Sequence, residues 1–280
     1  MEMIHQRADH LTSSPDDQHE LDRLLALVDE AGRLALGFFR EGEKTKAGVE
    51  WKGDGSPVTE ADLAVNAFLE PRLKALWPRA AWLSEESAED DARLQADRVI
   101  VVDPIDGTRG FARGDRHWAI SVALVEGRRP TIGVVHAPAL GQTYSAIAGR
   151  GAWLNGEPLH VEQIAELATT TRVTCPNNLA DALRAAGTHC DFKPKIASLA
   201  LRVVMVASGV YDAGFTARDS HEWDLAAADL VLQEAGGLLA DHAGSTLIYN
   251  KPDPSHGTLI AAARATQAAC RTAIARTPFA

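Results

Sequence analysis

The stretch from Val99 to Thr108 constrains the fold of this chain more than any other. It opens with four consecutive β-branched residues, Val99 to Val102, which predict a buried strand because such a run has no polar face to turn to water. Pro104 has no N–H group to give to a neighbouring strand, so we expect the chain to leave the sheet there. The loop then presents Asp103 and Asp106 together. Two close carboxylates repel each other unless a cation lies between them, and Mg²⁺ prefers oxygen ligands of this kind.

The charge balance disfavours some kinds of partner. The chain has 28 Lys and Arg residues against 38 Asp and Glu residues, for a net charge of −10, which argues against a broad nucleic-acid or anionic-membrane surface. Its three cysteines are far apart and form no CxxC pair, as expected in a reducing compartment and without a thiolate metal site. The opening MEMIHQRADH lacks the apolar core of a signal peptide, and charges break the apolar runs well short of a membrane span. We therefore expect a cytoplasmic protein whose partner is neither a nucleic-acid polymer nor a membrane.

The chain divides into a tail and two halves. Residues 1–17 show no structural period and are predicted to form a mobile tail. Residues 18–160 contain two amphipathic helices, one over His19 to Arg40 and one opening at Thr59, followed by alternating strands with short turns, which predicts an N-terminal antiparallel sheet packed on two helices. In residues 161–280 strands alternate with helices, which predicts a C-terminal mixed, mainly parallel sheet with flanking helices. The fold class is thus α+β or α/β.

Acidic residues recur at the predicted ends of elements, where functional groups concentrate: Asp62, Glu85, Asp103, Asp106 and Asp224. Some have ordinary explanations, because Asp62 completes a capping box with Thr59, Glu85 stands in a polar loop, and Asp224 could cap an apolar helix. Asp103 and Asp106 have no evident packing role at the end of an apolar strand. If the two halves pack together, all five acids could converge on one cleft.

Ordered motifs in the chain resemble the signatures of the inositol monophosphatase superfamily. The resemblance runs from about residue 20 to 262 and rests on these segments: Lys52 to Asp62, Ser84 to Ser87, Asp103 to Thr108, Gly151 to Gly156, Trp223 to Ala227 and Glu234 to Gly237. It implies a layered αβαβα sandwich and Mg²⁺-dependent hydrolysis of phosphate monoesters. It also implies sensitivity to Li⁺ and a homodimer.

Matching the motifs residue by residue assigns roles. Glu85, Asp103 and the Ile105 carbonyl would hold one Mg²⁺, and Asp103, Asp106 and Asp224 a second; some members bind a third ion more weakly through Glu85 and water. Two such metals can activate water and neutralise charge on the departing oxygen.

The resemblance implies that Thr108 would accept a hydrogen bond from the nucleophilic water and donate its own hydrogen bond to Asp62. The amides of Gly107 and Thr108 would meet the phosphate if a helix starts there. Lys52 resembles a lysine near the metal loop of the family. Haloacid-dehalogenase phosphatases are set aside because their acids are two residues apart, and no P-loop sequence is present.

The substrate is less constrained than the reaction. Inositol enzymes carry an acid where this chain has Ala217, whereas Thr108 to Phe111 and Glu222 to Asp224 resemble 3′(2′),5′-bisphosphate nucleotidases, apart from Gly110 in place of their glutamate. A second phosphate would need a cation, and Arg109, Arg202 or Arg218 could supply it. We therefore predict a bisphosphate nucleotidase. Inositol-1-monophosphatase, histidinol-phosphate or sugar-phosphate phosphatase, and a non-catalytic metal- or anion-binding regulatory protein stay open.

Overall fold

The computed structural model describes residues 15–53, 55–88, 90–216, 218 and 220–279. The helices of these residues are α1 (Pro15–Phe38), α2 (Glu60–Leu76), α3 (Thr108–Phe111), α4 (Asn177–Ala185), α5 (Leu199–Ala207), α6 (Glu222–Glu234) and α7 (Gln267–Ile274). The strands are β1 (Val49–Trp51), β2 (Pro57–Thr59), β3 (Ala81–Ser84), β4 (Arg98–Asp106), β5 (Ala119–Glu126), β6 (Arg129–Ala137), β7 (Gln142–Ile147), β8 (Gly151–Leu154), β9 (Glu157–Pro158), β10 (Arg172–Thr174), β11 (Asp191–Lys193), β12 (Ala213–Phe215), β13 (Ser220–His221), β14 (Gly237–Asp241), β15 (Ser255–His256) and β16 (Leu259–Ala263). Two short 3₁₀ helices span Asp91–Gln95 and Pro138–Leu140.

The first helix begins earlier than predicted. Residues 1–14 of the predicted tail lie outside the described residues, and residues 15–17 form the first turn of α1, ahead of the expected start at His19. Pro15 suits a first helical position, and Asp16 and Asp17 add negative charge at the positive end of the helix dipole. No helix in the described ranges has the length and apolar character needed to cross a membrane.

A seven-stranded sheet with the order β3-β4-β5-β6-β7-β8-β9 forms the first half. Only the β3–β4 pairing is parallel, and the rest form the antiparallel meander that the sequence predicts. The Asn155-Gly156 turn joins β8 to β9, and both residues have positive φ, as a tight hairpin requires. The segment ahead of α2 forms a hairpin, in which β1 pairs with β2.

The second half contains a five-stranded sheet with the order β11-β10-β12-β16-β14. The β10–β11 and β10–β12 pairings are parallel, whereas β16 pairs antiparallel with both β12 and β14. The sheet is therefore mixed, with parallel pairings on one side of β12 and antiparallel pairings on the other.

Alternating side chains sort the elements into layers. In β4, Ile100 and Val102 pack in the apolar cluster of α1 and α2, and Val99 and Val101 pack in the cluster of α5 and α6 on the opposite face of the sheet. The strand β16 does the same for the second sheet, since its odd-numbered residues join the cluster of α5 and α6 and its even-numbered residues join that of α4 and α7. The order is helices, sheet, helices, sheet, helices: a layered αβαβα sandwich.

The predicted end of the central strand is wrong. β4 does not leave the sheet at Pro104 but continues to Asp106. A β-bulge between Asp103 and Asp106 leaves Pro104 unpaired, so its missing N–H group does not interrupt the sheet. Asp103 pairs with Ser121 and Asp106 with Ala119, so three residue steps in β4 match two in β5. The bulge twists the strand locally, and both acids lie at the C-terminal end of β4.

Candidate metal-dependent active site

Three carboxylates meet at the end of β4. One oxygen from each of Asp103, Asp106 and Asp224 lies within 4.8 Å of the others. Asp103 and Asp106 come from the bulged strand, and Asp224 comes from the third position of α6, because that helix begins at Glu222 and not at Asp224. The N–H group of His221 donates to Asp224 Oδ2 at 3.0 Å, which fixes the carboxylate at the start of the helix.

The two sheets are joined at this cluster by α5. The Asp106 carboxylate accepts hydrogen bonds from the Ser198 hydroxyl, from the N–H of Leu199 at 3.0 Å and from the N–H of Ala200 at 2.7 Å. Free N–H groups in a first helical turn attract negative charge, so Asp106 serves the helix as an external cap. The sequence did not lead us to predict a role for Ser198 at the site, although a serine before an apolar helix indicates a capping residue.

Gly107 allows the chain to pass close beneath α5. Its φ of +96° lies in the left-handed region, and an added Cβ would come within 3.0 Å of the Ser198 nitrogen and 3.2 Å of the His117 carbonyl oxygen. Only glycine fits this position without strain. The following residue, Thr108, opens the single-turn helix α3, as the sequence interpretation required.

Thr108 and Asp62 form a buried pair below the cleft. The Thr108 hydroxyl lies 3.0 Å from Asp62 Oδ1 and 3.0 Å from the Ile105 carbonyl oxygen. Asp62 is also the third residue of α2 and accepts from the N–H of Thr59 at 2.9 Å, which completes the predicted capping box. Burial raises the pKa of Asp62 to about 6, while hydrogen bonds from Thr59 and Thr108 lower it. Asp62 therefore combines a capping role with a contact to Thr108.

Lys52 reaches the cleft from the hairpin that precedes α2. Its Nζ donates to Glu85 Oε1 at 3.0 Å and to Glu86 Oε1 at 2.7 Å. Burial raises the pKa of Glu86 to about 7, which the hydrogen bond from Lys52 opposes. The lysine thus orients the Ser84 to Ser87 loop, and Glu86 is a partner that the sequence reasoning passed over.

The carboxylate cluster lacks enough positive charge of its own. Burial raises the pKa of Asp103 well above its usual value, and the charges of Glu85, Asp106 and Asp224 raise it further. Burial also raises the pKa of Asp106 to about 6, even though Ser198, Leu199 and Ala200 donate to it. Converging carboxylate oxygens that repel one another fit a divalent cation with a preference for oxygen ligands.

The cleft above the cluster has a volume of about 490 Å³ and brings together most of the predicted site residues. Its lining includes Lys52, Glu85, Asp103, Asp106, Gly107, Thr108, Arg109 and Asp224. Arg218 is not among them and lines a separate cavity with Leu179 and Phe279. Lys195, His221 and Trp223 also line the cleft. Trp223 belongs to the motif from Trp223 to Ala227, whereas no pattern in the sequence marks Lys195 or His221.

Comparisons with known proteins show the family of the chain. The chain matches the family model described as "Inositol monophosphatase family" over residues 17–277. It is 32% identical over 251 residues to the 3′(2′),5′-bisphosphate nucleotidase CysQ of Aggregatibacter actinomycetemcomitans, covering 83% of this chain and 88% of that protein. It is 31% identical over 236 residues to inositol monophosphatase 3 of Solanum lycopersicum, covering 80% of this chain and 88% of that protein. The extragenic suppressor protein suhB of Bartonella henselae shares the fold, with a TM-score of 0.78 and 24% identity over 90% of this chain and 97% of that chain.

The chain therefore belongs to the inositol monophosphatase family. It is a phosphatase, as predicted, because the family and both relatives named above are phosphatases.

Proposed function

We propose that the chain is a Mg²⁺-dependent phosphomonoesterase that acts on a small phosphorylated metabolite, most specifically a 3′(2′),5′-bisphosphate nucleotide. The observation that carries the reaction type is the convergence of Asp103, Asp106 and Asp224 within 4.8 Å, beside the hydrogen-bonded pair of Thr108 and Asp62. The cluster offers anionic oxygen ligands, and the pair offers a fixed proton acceptor.

The acidic residues would hold two Mg²⁺ ions. Glu85, Asp103 and the Ile105 carbonyl would bind one ion and Asp103, Asp106 and Asp224 the other, with Glu85 available to a weaker third. The bound ions would supply positive charge for the phosphate oxygens and favour ionisation of water. Because Asp103 belongs to both sets, its loss should affect both ions.

Thr108 would orient the attacking water. If its hydroxyl donates to Asp62 Oδ1, its oxygen lone pairs remain free to accept a hydrogen bond from that water. Glu85, which lines the same cleft, would take part in the same step. The N–H groups of Gly107 and Thr108, at the start of α3, would contact the phosphate, and Lys52 would hold Glu85 in place.

Two observations favour a bisphosphate nucleotide as the substrate. The relative CysQ is a bisphosphate nucleotidase, and the cations Arg109 and Lys195 line the cleft that contains the acidic cluster. Arg218 opens onto another cavity, so we remove it from the proposed substrate contacts. Inositol 1-phosphate, histidinol phosphate and sugar phosphates stay as alternative substrates, and a metal- or anion-binding regulator is the alternative without catalysis.

We also propose a homodimer working in the cytoplasm. The dimer rests on the family resemblance, and the compartment rests on the unpaired thiols Cys175, Cys190 and Cys270, of which Cys175 and Cys270 are buried.

A phosphate-release panel tests the function. The purified chain should release phosphate from adenosine 3′,5′-bisphosphate in the presence of Mg²⁺, lose the activity in chelator and lose part of it on titration with Li⁺. Faster release from inositol 1-phosphate or histidinol phosphate would replace the nucleotide with that substrate. Metal binding without release from any of these esters would favour the regulatory alternative.

A further inference from the structure

The wall of the cleft outside the acidic cluster carries positive charge. Arg109 lies on α3, and its Nη2 donates to the Gly55 carbonyl at 3.0 Å, which leaves the rest of the guanidinium available. Lys195 lies in the loop before α5 and lines the same cleft. Among the described residues Lys195 has no hydrogen-bond or ion-pair partner, whereas Lys193, two residues earlier, is paired with Asp191 at 2.6 Å.

The cations near Lys195 are close enough to repel it. Desolvation by the surrounding protein lowers the pKa of Lys195, and the charges of Arg202 and Arg109 lower it further. Arg202 itself is buried, and its Nε has no hydrogen-bond partner in the described part of the chain. The charge of Asp106 raises the pKa of both Lys195 and Arg202, but this carboxylate already accepts hydrogen bonds from Ser198, Leu199 and Ala200. Arg109 and Lys195 therefore keep positive charge that faces the cleft and can attract an anion. This charge lies beside the acidic cluster and has the opposite sign.

An aromatic pair lines the same cavity. The rings of His221 and Trp223 are stacked, with centroids 4.6 Å apart and planes inclined by 2°. Trp223 also packs against the apolar cluster of α5 and α6, and both rings line the cleft. Flat rings of this kind stack on heterocyclic bases. A cyclitol offers no flat face to such a platform.

From these contacts we propose a subsite formed by Lys195, Arg109 and the His221–Trp223 stack that binds the alcohol part of the substrate, with the cations on a second phosphate and the imidazole on a nucleobase. The inference rests on the proposed phosphatase function and specifies which chain residues select a nucleoside bisphosphate. In this arrangement Lys195 and His221 determine which alcohol part is bound, and the acidic cluster acts on the phosphate that is hydrolysed.

Four esters distinguish the contact to the second phosphate from the contact to the nucleobase. Adenosine 3′,5′-bisphosphate has both a base and a second phosphate, adenosine 3′-monophosphate has only the base, fructose 1,6-bisphosphate has only the second phosphate, and inositol 1-phosphate has neither. The value of kcat/KM is measured for each ester with Mg²⁺ present. If no ester releases phosphate, the proposed function fails; the subsite is judged on the ratios between esters.

The variant Lys195→Gln tests the anion contact. We expect kcat/KM for the two bisphosphates to fall about 10- to 100-fold, as for the loss of a charged hydrogen bond. Adenosine 3′-monophosphate and inositol 1-phosphate should change by less than about twofold, like substrates of an ordinary surface variant. Lys193→Gln is the matched control and should leave all four values unchanged. An equal fall for all four esters with Lys195→Gln would overturn this part of the proposal, as would no change for any of them.

The variants His221→Ala and His221→Phe test the ring contact. Both keep the backbone N–H that donates to Asp224. His221→Ala should lower kcat/KM for the two adenosine esters about tenfold, in line with the loss of one stacked base, and His221→Phe should restore it. A uniform loss over all four esters, with no rescue by phenylalanine, would mean that His221 acts only through the acidic cluster.

Discussion

Glu222 and Asp224 lie two residues apart in the first turn of α6, yet the protein surrounds their carboxylates in opposite ways. Glu222 is fully buried and accepts hydrogen bonds from the N–H groups of Asn250 at 2.7 Å and Lys251 at 3.0 Å. Asp224 points at two other carboxylates in the cleft. The protein thus supplies hydrogen-bond donors to the Glu222 carboxylate, whereas the Asp224 carboxylate faces other negative charges and requires a cation.

The charges around the two acids follow the same division. Arg93 is buried, and its Nη1 donates to Asn250 Oδ1 at 2.8 Å and to the Lys251 carbonyl at 2.9 Å. These are the two residues whose N–H groups donate to Glu222. Burial raises the pKa of Glu222 to about 7, but the N–H donors and the charges of Lys251 and Arg93 lower it. Burial also raises the pKa of Asp224, and the charge of Asp106 raises it further. The contrast predicts that Glu222 serves stability and Asp224 serves function.

The largest effect is expected from Asp103→Asn. The amide keeps an oxygen for the N–H of Ile105 but removes the charge shared by both proposed ions, so phosphate release should fall by about 10⁴-fold or more. The melting temperature in chelator should not fall, because one of three repelling charges is gone. Calorimetry with and without Mg²⁺ should show that the metal no longer stabilises the variant. Asp97→Asn, an exposed change before the same strand, is the control, and full turnover by Asp103→Asn would show that the site is misassigned.

The variant Thr108→Val should have the next largest effect. Valine keeps the shape of threonine but loses the hydroxyl that contacts Asp62, so the rate should fall by about 10²-fold or more, as for the loss of a group that handles a proton. Thermal stabilisation by Mg²⁺ should survive, because no carboxylate is removed. Thr108→Ser should recover most of the rate. Loss of metal stabilisation with Thr108→Val would mean that the residue supports the cluster instead of the water.

The comparison of Glu222 with Asp224 can be tested by measuring stability and phosphate release in a variant of each residue. Glu222→Ala should lower the free energy of unfolding by about 2 to 4 kcal/mol, because two N–H groups lose their acceptor. Asp224→Asn should not lower it in chelator, since the amide oxygen can still accept from His221, but should abolish phosphate release. Denaturant unfolding and phosphate release are measured on both variants, with the exposed Glu157→Ala as control. Equal losses of stability would remove the distinction.

Local signals in the sequence were sufficient for much of the site. The capping box of Thr59 and Asp62 involves residues three apart, and the apolar run before Asp103 marks a buried strand without reference to the rest of the chain. The motif resemblance supplied the order of the layers. The capping box and the buried strand depend on short-range backbone chemistry and are therefore visible in the sequence.

Contacts over long separations were not visible. Ser198 meets Asp106 across 92 positions, and Arg93 meets Asn250 across 157, so each depends on how the layers pack. Lys195 is an exposed lysine with no local pattern, and only the cavity shows that it faces the cleft. The continuation of β4 beyond Pro104 was missed because a bulge depends on the partner strand as well as on the proline.

The smallest expected effect is a pH dependence of metal stabilisation. The folded-state pKa values of Asp62 and Asp106 are raised to about 6, above the unfolded value of 3.8, and that of Asp103 is raised as well. The folded chain therefore binds more protons than the unfolded chain between about pH 4 and 6, so these groups make the metal-free protein less stable as the pH rises through that window. Mg²⁺ must displace the protons of its proposed ligands Asp103 and Asp106, so its stabilising effect should grow over that interval.

Calorimetric melting at about pH 5 and about pH 8, with and without Mg²⁺, measures this coupling. Mg²⁺ should add about 1 to 3 kcal/mol at the higher pH, if its concentration is well above the dissociation constant, and little at the lower pH. Glu222 also has a raised pKa, but it has protein donors and no place in the cluster, so Glu222→Gln should keep the pH dependence of the Mg²⁺ effect. Asp103→Asn should remove it. An Mg²⁺ effect that is equal at both pH values would mean that the ion binds away from the buried carboxylates, and the contrast between Glu222 and Asp224 would then lose its functional meaning.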